Sequence, residues 1–253
     1  MIRPHVHIPF DKIGEYLDFI LKQSLDLEIY FSATVLDTIS VNRVASISEM
    51  LSHNPSLSIH APFMDLSPGA VDSKVREATM NRFSHVLDIS EILKPKAIVF
   101  HSGYEKWKYA LNKELWLEKS LMTWQPLNAR AEAMGVKIAI ENIFEDEPEN
   151  LVMLMEAMDS ANFGICFDTG HFNLFSKVPL EIWMSSLKPY IVELHLHDND
   201  RTSDQHRPVS EGTFDFKGFF GLLGDRDCIY TLEAHSTESV LKSMKALTVF
   251  TGS

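Results

Sequence analysis

Basic side chains are scarce in this sequence. Its 253 residues hold 23 Lys and Arg against 35 Asp and Glu, a formal net charge of −12. That balance disfavours a protein that works mainly by clamping phosphate backbones or anionic membranes. Cysteine is scarcer still: Cys166 and Cys228 cannot build a disulfide framework, so a reducing, cytoplasmic setting is the expectation. No apolar run approaches the ~20 residues of a membrane-spanning helix, and Met1-Ile2-Arg3-Pro4-His5 opens no signal-peptide core, so no membrane partner is expected. Repeats, low-complexity tracts and Pro/Ser-rich linkers are also missing, which leaves residues 1–253 as one domain. Nor does any G-x-G-x-x-G follow a β-like run, which counts against a doubly wound, dinucleotide-binding sheet.

What is present is a regular alternation. Short β-rich runs fall at 3–8, 27–31, 56–60, 97–101, 136–141, 163–168, 191–197 and 229–233. Several are almost continuously apolar, such as Ala97-Ile98-Val99-Phe100, as strands of a parallel sheet covered on both faces are. Amphipathic spacing predicts helices over 71–93 and 113–134, the latter closed by Gly135 and kinked or divided at Pro126. Pro148 opens a helix over 149–159, Ser236 caps one over 237–247, and 14–24 and 41–53 fit weaker helices. With 45% hydrophobic and 23% charged residues, an α/β fold of eight such units, a (β/α)8 TIM barrel, is the expected architecture.

Enzyme sites on such barrels lie at the C-terminal ends of the strands. Six consecutive runs end there in metal-type ligands: His60, His101, Glu141, Asp168 with His171, His195 followed by Asp204 and His206, and Glu233. Taken singly, each would pass for a solvated loop residue. Together they need partners, because an unpaired charge buried in a barrel mouth costs several kcal/mol. A mixed His/carboxylate set suits zinc, manganese or cobalt better than magnesium or calcium, which prefer oxygen alone. The expected cofactor is therefore a divalent metal, Zn2+ or Mn2+, as one to three ions. Nine of the eleven histidines lie in or just beyond strand runs, with only His53 and His85 in helices.

The ordered segments His60-Ala61-Pro62-Phe63, Phe100-His101-Ser102-Gly103, Ile140-Glu141-Asn142, Phe167-Asp168-Thr169-Gly170-His171, His195-Leu196-His197-Asp198, Asp204-x-His206 with Glu211-Gly212, and Leu232-Glu233 resemble the xylose isomerase-like TIM-barrel superfamily. That group joins sugar and sugar-phosphate isomerases and epimerases to endonuclease IV, an abasic-site nuclease. The resemblance to endonuclease IV implies three zinc clusters: His60 and His101 with Glu141 bridging; Glu141, Asp168, His195 and Glu233; and His171, Asp204 and His206. The resemblance to the isomerases implies mainly the second.

Two chemistries fit these ligands. In an isomerase or epimerase, the metal polarises adjacent sugar oxygens while Glu141 and Glu233 exchange a proton at the carbon next to the carbonyl. His171, His206 and Arg207 would hold substrate oxygens, and Phe10, Phe63, Trp107 or Trp116 would supply an aromatic wall. In a nuclease, a metal-bound hydroxide attacks a phosphate, which also demands a basic, base-reading rim. The rim is poor in such residues: 30–40 has no Lys or Arg, and the loops at 144–147 and 172–175 are acidic or neutral. Arg201, Arg207 and Lys106/Lys108 are the best basic candidates. A small sugar, phosphorylated or not, is therefore the favoured partner over nucleic acid; an inactive metal- or sugar-binding barrel is a third reading. Cys166 reads as a small hydrophobe, His197 with Asp198 as a pair orienting His195, and Gly212 as a tight-turn residue. His5 and His7 alternate along the first strand and share a face.

Overall fold

The computed structural model describes residues 2–251. Eight parallel strands close in chain order: β1 (His5–Pro9), β2 (Asp26–Tyr30), β3 (Leu57–His60), β4 (Ala97–His101), β5 (Lys137–Glu141), β6 (Phe163–Asp168), β7 (Ile191–Leu196) and β8 (Ile229–Leu232), with β8 pairing back to β1. Helices α1 (Ile13–Gln23), α2 (Ala33–Thr38), α3 (Val41–Met50), α4 (Ser73–Leu93), α5 (Lys113–Ala133), α6 (Glu149–Met158), α7 (Thr169–Phe175), α8 (Leu180–Leu187), α9 (Phe216–Leu223) and α10 (Thr237–Thr251) surround it. The expected (β/α)8 TIM barrel is the observed one.

Strand parity decides what each residue does. Outward-pointing Ile29, Ile59, Ile98, Phe100, Ile138, Phe167 and Leu194 merge with the helices into one continuous apolar core. Inward-pointing positions hold a separate small cluster, Val99, Ala139 and Cys166, surrounded by polar Ser58, Thr231, Glu28 and Glu193, all fully buried. The apolar runs read from the sequence are thus two interleaved sets, one for cohesion and one for the lumen.

Capping fixes where the long helices begin. The Asp72 carboxylate accepts from the Lys74 amide at 2.8 Å, Asn112 Oδ1 from Leu115 at 2.9 Å, and Ser236 Oγ from Ser239 at 3.1 Å. Pro126 neither divides nor ends α5. It lies on the exposed side beside exposed Met122, so the helical hydrogen bond it forgoes is on the solvent face. Three short helices, α7, α8 and α9, follow β6 and β7, where the sequence reading named none. The segment 172–175, read as a loop, is the body of α7, started by the Asp168 side chain capping the His171 amide at 2.6 Å. His53 falls beyond α3, its Nε2 at 2.8 Å from the Leu25 carbonyl, rather than inside a helix. Among the described residues no helix is long and apolar enough to cross a membrane.

Candidate metal centre

The C-terminal ends of β3 to β8 deliver the strand-end ligands to one point, because parallel register sets neighbours side by side. His101 pairs with Glu141 and Asp168 with His195 across adjacent strands. All nine expected ligands, His60, His101, Glu141, Asp168, His171, His195, Asp204, His206 and Glu233, gather at this mouth within one network of imidazole–carboxylate contacts.

At its base is His195, fully buried. Its Nε2 is 2.9 Å from Glu28 Oε2, an acceptor, so that nitrogen carries the proton. The opposite nitrogen, Nδ1, has no hydrogen-bond partner yet faces Glu141 Oε1 at 3.3 Å, Glu233 Oε1 at 3.4 Å and Asp168 Oδ2 at 3.7 Å. An imidazole lone pair and three carboxylate oxygens converging in a buried space repel one another unless a cation lies among them, so the donor set fits a divalent ion. Burial pushes Glu141 and Glu233 upward, but the histidines outweigh it: Glu141 is held well below the ordinary carboxylate range, chiefly by His195 and His101, and Glu233 at about 2, chiefly by His195 and His7. Burial lowers His195, but the carboxylates Glu28, Glu233 and Glu141 outweigh it and raise the group well above its ordinary value.

Two flanking groups repeat the pattern. His60 Nδ1 donates to the Ala61 carbonyl at 2.9 Å, which turns its Nε2 lone pair toward Glu141 Oε2 at 3.2 Å; His101 Nε2 approaches the same oxygen at 3.2 Å. His171 and His206 meet over Asp204 Oδ2 at 3.4 and 3.0 Å. His206 takes φ +46°, rare for a non-glycine residue, and lies parallel to His197 with ring centroids 4.0 Å apart. Burial lowers its pKa, but Asp204 and Glu233 overturn that and raise it to about 9.

Above these groups opens a cavity of about 710 Å³, within the range of small-molecule sites. Glu141, Glu233, His171 and His206 line it, whereas Asp168 and His195 lie beneath. Phe63 forms a wall, stacked on His101 at 4.2 Å, with Tyr30 beside it. The other aromatic candidates are elsewhere. Trp107 is 75% exposed outside the cavity, Trp116 is buried with its indole N–H on the Ser102 carbonyl at 3.3 Å, and Phe10 packs on Phe31. Arg207 also misses the cavity: its guanidinium is drawn 2.5 Å from Asp200, its backbone being pinned in a two-way pair with Asp198.

The pair His197–Asp198 does not orient His195. His197 sits on Asp168 Oδ2 at 3.1 Å, while Asp198 points away and accepts from the amides of Gly212, Thr213 and Phe214 at 2.8 to 3.1 Å. Gly212 is required by that approach rather than by a turn, since a Cβ there would lie 2.3 Å from Asp198 Oδ1. The residue that orients His195 is Glu28, which also accepts from His7 Nδ1 at 2.7 Å. Neither was found from strand ends alone. The signal was available in β2, where Asp26, Glu28 and Tyr30 alternate with apolar residues and place a carboxylate in mid-strand. His5 and His7 do share a face, yet only His7 reaches the cavity, as His5 is held below by Ser56 and Ser58.

The chain is similar to several known proteins over most of its length. The uncharacterized protein MJ1311 of Methanocaldococcus jannaschii is 28% identical over 75% of this chain and 68% of its own. A D-tagatose 3-epimerase-like protein superimposes with a TM-score of 0.83 at 23% identity, covering 98% of this chain and 97% of the other. The TTHB071 protein of Thermus thermophilus, from crystals soaked with ZnCl2, gives 0.82 at 26% identity, covering 99% and 98%. The xylose isomerase-like TIM barrel pattern matches residues 28–248. This chain belongs to the xylose isomerase-like TIM-barrel family.

Proposed function

We propose that the protein is a divalent-metal-dependent sugar isomerase or epimerase. One observation carries this reading: of the four donors that converge, His195 Nδ1 and three carboxylates, Glu141 and Glu233 face the cavity while Asp168 and His195 do not. Asp168 and His195 would hold the ion from below, with Glu141 and Glu233 completing its shell. When bound, the ion supplies Lewis-acid polarisation of adjacent sugar oxygens.

The chain's own residues do the rest. Glu141 and Glu233, ionised and reaching the cavity from the end of β5 and from just beyond β8, take and return a proton at the carbon next to the carbonyl. His171 and His206 donate to substrate hydroxyls. Phe63 and Tyr30 cover the apolar face of the ring and keep water from the reacting carbon. The epimerase-like structural neighbour supports a sugar as substrate. Zn2+ or Mn2+ suits the mixed donors, and zinc was soaked into the crystals of a relative.

The same nine donors also suit a zinc phosphodiesterase of the endonuclease IV kind. The rim weighs against it: Lys106 is ion-paired with Asp146 and Arg207 with Asp200, and Arg201 is tied to Asn173, which leaves Lys108, hydrogen-bonded to Ser67, as the one of these four cations that lines the cavity. The test combines elemental analysis with two assays, solvent-deuterium incorporation into a panel of free and phosphorylated ketoses and nicking of an abasic-site duplex. Deuterium exchange with bound metal supports the isomerase; nicking without exchange overturns it. Purified protein without metal or either activity points to the inactive barrel.

A further inference from the structure

His197 stands outside every ligand set that the family resemblance implies, yet four consecutive residues converge on it. Asp168 Oδ2 lies 3.1 Å from its Nε2. Thr169 Oγ1 donates to its carbonyl at 2.8 Å and accepts from its amide at 3.2 Å. Gly170 clears the room for its ring, since a Cβ there would lie 2.0 Å from Cε1. The His171 ring meets it edge-on at 5.7 Å and 84°. An ordinary core histidine needs no such seat.

His197 is fully buried and its Nδ1 has no hydrogen-bond partner; the polar atom facing it is Asp204 Oδ1 at 3.7 Å, an acceptor. If Nε2 carried the proton to Asp168, the Nδ1 lone pair would be left facing a carboxylate. If Nδ1 carries it toward Asp204, the Nε2 lone pair faces Asp168 instead. A doubly protonated ring would satisfy both carboxylates only by burying a charge on the ring itself, whereas a cation at Nε2 does so with a neutral ring and leaves Nδ1–H aimed at a carboxylate, the usual arrangement of a metal-bound imidazole. A second orphan points to the same spot. His171 Nδ1, buried and without a hydrogen bond, faces Asp168 Oδ2 at 3.4 Å and Glu141 Oε1 at 3.1 Å. Asp168, His171 and His197 offer ligand atoms within 4.8 Å of one another. His206 does not share this ion through His197: the two rings are stacked 6° from parallel, so their in-plane lone pairs cannot meet at one point.

We infer that Asp168 Oδ2, His171 Nδ1 and His197 Nε2 form a second divalent-cation seat that shares Asp168 with the Glu141–Asp168–His195–Glu233 seat. The inference rests on the metal-dependent reading above and adds a ligand to it. Asp168 then bridges two ions, and Glu233 Oε2, 3.6 Å from His197 Nε2, is placed to complete the second.

Metal-free protein titrated with Mn2+ tests this directly. His197→Gln keeps an amide that can donate to Asp168 but is a poor ligand, and Gly170→Ala displaces the ring without removing it. Wild type is expected to bind one equivalent more than either variant by equilibrium dialysis. Its electron paramagnetic resonance is expected to show the broadened signal of two coupled Mn2+ ions. Both variants should return the six-line spectrum of an isolated ion, with circular dichroism unchanged. A wild type with a single equivalent and no coupling overturns the second seat while leaving the proposed function standing. A His197→Gln variant with wild-type stoichiometry and coupling reduces His197 to a hydrogen-bond donor. Wild type that binds no ion removes both readings.

Discussion

His5 and His7 lie two residues apart on β1, yet they belong to opposite ends of the barrel. His5 sits low in the lumen, its two nitrogens 2.9 and 3.0 Å from the hydroxyls of Ser58 and Ser56, and burial pushes it down to about 4. At the mouth, His171, His195 and His206 are also largely buried, but carboxylates reverse the effect and raise them. Burial favours the neutral ring and nearby carboxylates favour the charged one; at His5, and at His101 beside Glu141, burial wins, whereas at His171, His195 and His206 the carboxylates do. Cavity size would have misplaced the chemistry. A hollow of about 1000 Å³ opens at the N-terminal end near His5, larger than the one above Glu141.

The comparison is most easily broken with carboxylates. Glu141→Gln or Glu233→Gln is expected to lower kcat by roughly 10²–10⁴-fold with the circular dichroism unchanged. Glu193, deeper in the same lumen, is raised to about 7 by burial and by Glu28, and its Oε1 is bound by Ser58 and Thr231. Glu193→Gln should therefore leave kcat close to wild type; equal losses from both depths would erase the distinction. Chelation comes next. It should abolish turnover, which Zn2+ or Mn2+ restores, and at 100 times Kd the ion should stabilise the fold by about 2.7 kcal/mol, measurable as a rise in Tm.

Proton linkage sharpens the contrast. His206 is raised to about 9, so its support of the metal-free fold is complete below pH 6.5 and is lost as pH rises through about 9. Replacing the ring with His206→Gln should flatten that alkaline limb in melting curves of the metal-free protein; an unchanged limb would mean that His206 carries no linked proton. The smallest effect belongs to the floor. His5 is lowered to about 4, so stability is lost as pH falls from 6.5 toward 4, and His5→Gln should flatten that acid limb. It should cost about 1–3 kcal/mol at neutral pH through imperfect pairing of Ser56 and Ser58, with kcat unchanged.

The sequence made the barrel legible through its alternation, and the mouth through ligands at successive strand ends. It was less informative wherever a residue acts from the middle of a strand or across it. Glu28 was missed because mid-strand carboxylates carry no motif, although the parity of Asp26, Glu28 and Tyr30 marks them. Trp107 and Arg207 were misplaced because adjacency to a motif says nothing about direction: one turns outward and the other is captured by Asp200. Helices α7 to α9 escaped because their short length gives little periodicity, and α7 depends on a cap from Asp168, a residue read only as a ligand.

The alternation along β4 has a consequence for how such a protein can change. Ile98 and Phe100 turn toward the helices, while Val99 and His101 turn toward the lumen. Cohesion of the shell and the reactivity of the interior are thereby written on different letters of one short word. A lineage can respell the lumen, substituting one donor for another, while the letters that hold the shell remain as they were.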